Sequence, residues 1–360
     1  MNRKVPEFHS DEEAAAFLEQ DLSDLDFAQF KPVHFEFEKK TAQINMRLPK
    51  SLLDAVKAHS AARGIPIRAL SARLWRRRLR EPKNPGERRA VMAAWSIGPP
   101  LSPAVGVAIT GADLARPLTS ELREAILGAL LRHHVVVFPN QTPSREQQYA
   151  FAANFGAVEP PRGALKRHGV AHVLSNLDEN GNPVARSSPA GNDHWHTDKP
   201  YNPVPPALTT LYAVELPPAG GDTAFANTAL AYAALPDETK NRIAGLRVVF
   251  SPKFVTDPRQ RTRVDHPLVR THPETGQRAL YLGNHAAGIL GMGQTEGMAL
   301  LDVLLAHATT PQFVYAHRWQ VGDLLIWDNR VLLHRAVPNY DRSRHRRILH
   351  RSIVTGTVPF

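Results

Sequence analysis

The residues best suited to chemistry lie in two short stretches: Asn192-Asp193-His194-Trp195-His196-Thr197-Asp198, and the segment from Asp323 to Ala336 that contains Trp327-Asp328-Asn329-Arg330 and His334. On an extended backbone residues two apart point the same way, so His196 and Asp198 reach one ion while Thr197 faces elsewhere. His334, brought in from a distant strand, would complete a face of two imidazoles and one carboxylate and leave the opposite face open. That set suits a non-haem Fe(II) centre, and it also describes a catalytic zinc that activates water. The chain contains no cysteine. Thiolate zinc sites, iron–sulfur ligation, disulfides and cysteine nucleophiles are therefore excluded, and any metal must be held by His, Asp or Glu.

Downstream, Arg346-Arg347-Ile348-Leu349-His350-Arg351 sets Arg347 and Arg351 four residues apart, on one face of a strand. Two inward guanidiniums are costly to bury without anionic partners, and small molecules bearing carboxylates would supply them. Among the other candidates, His194 shares a face with His196 and reads either as a support behind the metal ligands or as pocket wall. His133, His134 and His350 read as structural imidazoles, and Trp195 and Trp327 as core packing around the ligand segments.

These residues need a rigid frame, and the hydrophobic pattern describes one. Thr119 to His133 reads as an amphipathic helix, Val135 to Phe138 as a buried strand and Ser144 to Phe155 as a second helix closed by Gly156. The run Asn176 to Asn192, rich in Gly, Asn, Pro and Ser, reads as a mobile loop of the kind that covers active sites. Strand-like segments follow at Leu208 to Glu215, Phe313 to Trp319, Asp323 to Trp327 and Arg347 to Thr355, with a hairpin from Leu268 to Leu282 turning at Pro273-Glu274-Thr275-Gly276. Many strands at short spacing with few helices argue for a mainly β sandwich or jelly roll with flanking helices.

Four blocks in order, Trp-His-Thr-Asp at 195–198, Leu-Pro-Pro-Ala-Gly-Gly-Asp-Thr at 216–223, Trp-Asp-Asn-Arg…His at 327–334 and Arg-Arg-Ile-Leu-His-Arg at 346–351, resemble the TauD/TfdA family of Fe(II)- and 2-oxoglutarate-dependent dioxygenases. The resemblance spans residues 95–356 and implies a double-stranded β-helix domain over 95–360. It implies that His196, Asp198 and His334 bind Fe(II), that Thr223 and Arg347 hold the distal carboxylate of 2-oxoglutarate, and that Arg351 lies nearer the metal, serving both co-substrate and substrate. Asn192 matches a substrate-contacting asparagine. The activity implied is O2-dependent hydroxylation of a small anionic organic substrate, of the taurine or alkyl sulfonate, sulfate ester or aryloxy carboxylate class, with succinate and CO2 as co-products. One departure matters: where taurine dioxygenase carries a His-x-x-Tyr pair this chain has Pro161 and Ala164, which puts taurine in doubt. Arg162, Lys166, Arg167 and His168 keep that entrance basic. A zinc hydrolase, the rival reading of the ligand set, leaves Arg347 and Thr223 unexplained.

The chain of 360 residues carries a net charge of +10, unevenly distributed. Residues 1–38, an acidic leader, hold 3 Lys/Arg against 10 Asp/Glu, whereas residues 39–90 hold 15 against 3. A basic block of this kind points to a polyanion, most simply nucleic acid. Within it Thr41 to Leu48 alternates as a strand, and two helical patterns follow, broken at Gly64-Ile65-Pro66. The segment 39–80, together with the leader around Asp11-Glu12-Glu13, resembles the CopG-type ribbon-helix-helix antitoxins over roughly residues 8–80. That resemblance implies a dimer whose paired strands present Gln43, Asn45 and Arg47 to DNA bases. Residues 81–94, with two prolines and a glycine, read as a linker. A rival function follows: a DNA-binding regulator whose oxygenase-like module senses 2-oxoglutarate or iron. No apolar run approaches the roughly 20 residues of a membrane span, and no secretory signal opens the chain, so a cytoplasmic homo-oligomer is expected.

Overall fold

The computed structural model describes residues 95–160, 169–185, 192–252 and 263–360, all within the second of the chain's two units. The leader, the ribbon-helix-helix module with Gln43, Asn45 and Arg47, the linker, and the basic entrance from Pro161 to His168 lie outside the described residues.

The described residues open with β1 (Ser96–Pro100), β2 (Val107–Thr110), α1 (Ser120–His133), β3 (Val135–Phe138), α2 (Arg145–Ala153) and β4 (His172–Ser175). It continues β5 (Pro206–Glu215), β6 (Thr223–Asn227), α3 (Thr228–Ala233), α4 (Asp237–Ile243), β7 (Arg247–Phe250), β8 (Val264–Pro267), β9 (Val269–Thr271) and β10 (Arg278–Leu280). The last elements are β11 (Ala286–Ile289), α5 (Gln294–Ala308), β12 (Val314–His317), β13 (Leu324–Asp328), β14 (Leu332–Ala336) and β15 (Ile348–Thr355).

Both predicted helices form because the sequence caps them. Thr119 accepts a hydrogen bond from the Leu122 amide at 3.2 Å, and Ser144 and Gln147 form a reciprocal capping box. A major sheet runs in the order β1-β2-β3-β13-β5-β15-β4, and a smaller one in the order β12-β6-β14. The central strand β13 shows how the two are glued. Leu324 and Ile326 pack with Val136 and Phe138 against Ile126, Leu130 and Phe151 of the helices. Leu325 and Trp327, on the other face, join Leu211, Phe225, Leu332 and Leu349 in the core between the sheets. Outside the smaller sheet, Ala226 and Leu333 meet α5 and the β7–β11 region.

The fold is mainly β with few helices, as the strand spacing predicts. The Leu268 to Leu282 hairpin appears as the short pair β9 and β10, and β15 begins one residue after Arg347. The pattern did not announce β1, β2, β4, β6 to β8, β11 or α3 to α5. The extended segment expected at His196 to Asp198 is reduced to a single bridge: His196 pairs with His334, exchanging both backbone hydrogen bonds at 3.0 and 2.7 Å. That bridge adds one residue to the edge of the smaller sheet.

Candidate metal centre and co-substrate cleft

The bridge itself sets the first half of the site. Two residues that exchange both backbone bonds in an antiparallel pair point their side chains the same way. The His196 and His334 rings accordingly lie side by side, with centroids 4.2 Å apart. Beyond His196 the chain bends and Asp198 turns back toward them, helped by Lys199, whose φ of +43° is unusual for a residue with a side chain. Lys199 pairs with Glu159. The three ligating atoms of His196, Asp198 and His334 lie within 4.8 Å of one another, and all three residues are buried.

Each side chain is oriented by its surroundings. The His196 Nδ1–H donates to the His194 carbonyl at 2.8 Å, which leaves Nε2 as a bare lone pair. His334 is held by aromatic packing, 4.9 Å from Trp327 and 6.3 Å from Phe225 between ring centroids, and its Nε2 is 4.0 Å from Asp198 Oδ1. Thr209 donates its hydroxyl to Asp198 Oδ2 at 2.6 Å, turning Oδ1 toward His334 and toward Arg351 Nη1 at 3.7 Å.

The protonation states follow from burial and charge. Burial lowers both imidazoles, His334 to about 3 with the neighbouring His196 adding to the effect. Burial alone would raise the Asp198 carboxyl, but His334, Arg351, His196 and the Thr209 hydrogen bond outweigh it and hold the group well below the usual carboxylate range. Two neutral imidazoles beside an ionised carboxylate are the donor set a divalent cation needs. The residues fit a metal on this ground alone.

Thr223, at the start of β6, receives a hydrogen bond from Trp319 Nε1 at 3.0 Å and lies 3.5 Å from Arg347 Nη2. Arg347 also gives Nε to the Gly221 carbonyl at 2.9 Å, while its backbone amide donates to Asn176 Oδ1 at 2.8 Å. Gly221 has φ +74°, and a Cβ there would stand 3.2 Å from Arg347 Nε. Gly220 is tighter still, since a Cβ would meet the Asn339 carbonyl oxygen at 2.2 Å. The glycine pair of the 216–223 block thus lets the chain pass close to Asn339 at Gly220 and close to the Arg347 side chain at Gly221. Burial lowers the Arg347 guanidinium from its ordinary value.

All seven sequence-identified residues of this domain, Asn192, His196, Asp198, Thr223, His334, Arg347 and Arg351, line one cleft together with Leu174, Leu211, Trp327 and Leu349. Arg347 and Arg351 point to the same space, as their spacing predicts, and Arg351 Nε is buried without a hydrogen-bond partner. A larger cavity of about 610 Å³ shares Leu174, Asn192, Ala336 and Arg347 with the cleft, a size suited to a small organic ligand. Asn192 accepts the Ala336 amide on its carbonyl at 2.7 Å, and the following Asp193 is gripped by Arg342 through two bonds of 2.8 and 2.6 Å.

Two expectations need correction. His194 is exposed and forms no wall; it supports the site from behind His196 through its backbone carbonyl, the other alternative its position offered. His134 is buried, but its Nδ1 has no partner. The sequence reading also missed the chain of groups behind Asp198. Trp327 Nε1 donates to Asn329 Oδ1 at 3.0 Å, Asn329 Nδ2 donates to Thr209 Oγ1 at 2.9 Å, and the Thr209 hydroxyl donates to Asp198 Oδ2. The available signal was a pair of threonines, Thr209 and Thr210, in an otherwise apolar strand, since a buried hydroxyl needs a partner.

Residues 98–353 match the family described as taurine catabolism dioxygenase TauD, TfdA family. Residues 3–78 match the CopG antitoxin of type II toxin-antitoxin systems. The chain is 36% identical over 285 residues to the alpha-ketoglutarate-dependent 2,4-dichlorophenoxyacetate dioxygenase of Cupriavidus pinatubonensis, a match covering 73% of this chain and 99% of that protein. It is 33% identical over 279 residues to the alpha-ketoglutarate-dependent sulfate ester dioxygenase of Pseudomonas putida, covering 72% and 89%. Among solved structures, AAD-2 in complex with Mn(II) and N-oxalylglycine superposes with a TM-score of 0.68 at 37% identity, covering 74% of this chain and 99% of the other.

Proposed function

Because the chain belongs to the TauD/TfdA family of Fe(II)- and 2-oxoglutarate-dependent dioxygenases, we propose that it oxidises a small organic anion at a metal held by His196, Asp198 and His334. The observation that carries the anionic preference is the charge of the cleft. Arg347 and Arg351 face a single carboxylate, Asp198, so the cleft carries one net positive charge before anything binds. A divalent metal adds two and 2-oxoglutarate removes two. One positive charge is left for the substrate, and a monoanion balances it.

The residues divide the work. Arg347, fixed by the Gly221 carbonyl, and Thr223, fixed by Trp319, would take the distal carboxylate of 2-oxoglutarate. Arg351, beside Asp198 in the cleft lining, would with Asn192 orient the substrate anion. Leu174, Leu211 and Leu349 keep water from the reacting carbon. When bound, the iron supplies the oxidative decarboxylation of 2-oxoglutarate by O2 to succinate and CO2, together with transfer of the second oxygen atom to a substrate C–H bond. If that carbon carries an aryl ether, sulfate ester or sulfonate group, the hydroxylated product collapses to a carbonyl compound and releases the phenol, sulfate or sulfite respectively. Aryloxy carboxylates and sulfate esters are the favoured classes, because the relatives described above are named for such compounds and the His-x-x-Tyr pair is missing.

A panel of aryloxyacetates, alkyl sulfates and alkyl sulfonates, scored by succinate release above the uncoupled rate, tests this reading. Oxidation of at least one anion is expected. Succinate release that no anion stimulates would overturn it.

A second reading concerns the amino-terminal segment, where the CopG match favours a DNA-binding role for Gln43, Asn45 and Arg47 in a dimer. DNA retention that weakens steeply with salt is expected. A dependence of that retention on 2-oxoglutarate would make the oxygenase module a sensor, and absence of retention at low salt would remove the role.

A further inference from the structure

We propose that His172, which no motif singles out, forms with Arg351 the seat for the substrate's anionic group and so sets the enzyme's preference for charged over neutral substrates. The proposal rests on the oxygenase reading above and adds a specificity-determining residue to it.

The register of the major sheet places the residue. The edge strand β4 pairs antiparallel with β15, with His172 directly opposite Arg351 and Leu174 directly opposite Leu349. Directly opposed residues share a face, and so do residues two apart on one strand. Leu174, Leu349 and Arg351 all line the cleft. His172 therefore stands on that same inner face, at the edge of the sheet and next to the guanidinium, where it is half-buried.

Its surroundings favour an oxyanion. Burial first, then Arg351, Arg145 and Lys199, hold the His172 imidazole below its ordinary value. Two of those cations are already engaged, since Lys199 pairs with Glu159 and Arg145 donates Nε and Nη2 to the Ala171 carbonyl at 2.9 and 2.6 Å. Arg351 is not satisfied in this way: its Nε is buried without a partner, and its nearest carboxylate oxygen, on Asp198, is 3.7 Å away in the metal set. At neutral pH the pair thus offers one fixed positive charge and one uncharged, directional ring N–H. That combination suits a group with at least two acceptor oxygens, such as a carboxylate, sulfonate or sulfate. The neutral ring also avoids adding a further cation to a corner that already holds three.

The test uses the full chain with Fe(II) and 2-oxoglutarate, and the substrates phenoxyacetate, hexyl sulfate, hexanesulfonate and the neutral phenoxyacetamide. For whichever anion the wild type oxidises, His172→Ala should raise KM about ten- to a hundredfold, the loss expected for one hydrogen bond to a charged group, with kcat within about twofold. The preference over the amide should fall by the same factor. His172→Gln, which keeps a donor, should recover most of the affinity. The KM for 2-oxoglutarate and the anaerobic Fe(II)–2-oxoglutarate absorbance should not move in either variant, so a folding defect is visible separately. An unchanged KM in His172→Ala, a parallel rise in the 2-oxoglutarate KM, or a Gln variant no better than Ala overturns the proposal. If the wild type binds 2-oxoglutarate but oxidises none of the three anions, the substrate reading beneath it fails as well. The three anions distinguish planar from tetrahedral head groups.

Discussion

Thr209→Val isolates the device that holds the carboxylate ligand. Valine keeps the volume and the β-branched shape that a central strand prefers, so the packing of β5 is retained. What disappears is one hydroxyl with two partners. Thr209 Oγ1 donates to Asp198 Oδ2 at 2.6 Å and accepts from Asn329 Nδ2 at 2.9 Å. Thr209 is fully buried, Asn329 is 1% exposed and Asp198 6%, so water cannot replace the lost group without opening the sandwich. A hydrogen bond to a charged acceptor is worth about 1.5–3 kcal/mol, and the orphaned Asn329 amide adds a further penalty of about 1 kcal/mol to the apo-protein. The first figure falls on the orientation of Asp198. At about 1.4 kcal/mol per decade it corresponds to a ten- to hundredfold loss of metal affinity, in the range known for partners of metal ligands. Anaerobic calorimetric titration with Mn(II), a redox-stable probe, measures this, and Thr209→Ser should stay near wild type because it keeps the hydroxyl. Mn(II) affinity within twofold of wild type in Thr209→Val would refute the argument that the Trp327–Asn329–Thr209 chain positions the carboxylate.

Gly221→Ala places a Cβ 3.1 Å from Pro217 and 3.2 Å from Arg347 Nε at a φ of +74°, so Arg347 must shift. The KM for 2-oxoglutarate should rise at least severalfold while Mn(II) affinity stays unchanged, as steady-state kinetics and titration would show. The pH dependence of stability has a definite sign: His334 and His350 are held to about 3 and about 4, in both cases chiefly by burial. Below the ordinary imidazole value of 6.5 the unfolded chain takes up protons that the folded chain refuses. The apo-protein should therefore lose stability as pH falls from about 6.5 toward 4, with little change above 7. A melting temperature independent of pH between 4.5 and 7 would contradict this, and His350→Phe should make the slope shallower.

The metal set was legible because its residue types are scarce and their spacing is informative. An HxD, a distant histidine after an apolar run and two arginines four apart leave few other uses. The backbone that delivers them was less legible. Alternation from His194 to Asp198 suggests a strand, yet only His196 pairs, and the turn of Asp198 depends on the positive φ of Lys199 and its ion pair with Glu159. Helix α5 was hidden by its one glycine. Gly297 reads as a breaker, but its missing Cβ lets the helix approach the Ile289 backbone nitrogen, where a Cβ would stand at 3.1 Å. The stripe Gly297, Leu300, Leu301, Leu304 and Ala308 then packs into the core. Thr209 and Asn329 went unassigned because their importance lies in a contact across 120 residues of chain that spacing alone does not encode.

The decisive measurement is the visible absorbance of the protein with Fe(II) and 2-oxoglutarate in the absence of oxygen. A weak metal-to-ligand charge-transfer band should appear in the wild type, vanish in His196→Ala, and be much weakened in Arg347→Ala at the same 2-oxoglutarate concentration. A band of undiminished strength in His196→Ala, or none in the wild type, would contradict a ferrous centre built on His196, Asp198 and His334 with Arg347 anchoring the co-substrate.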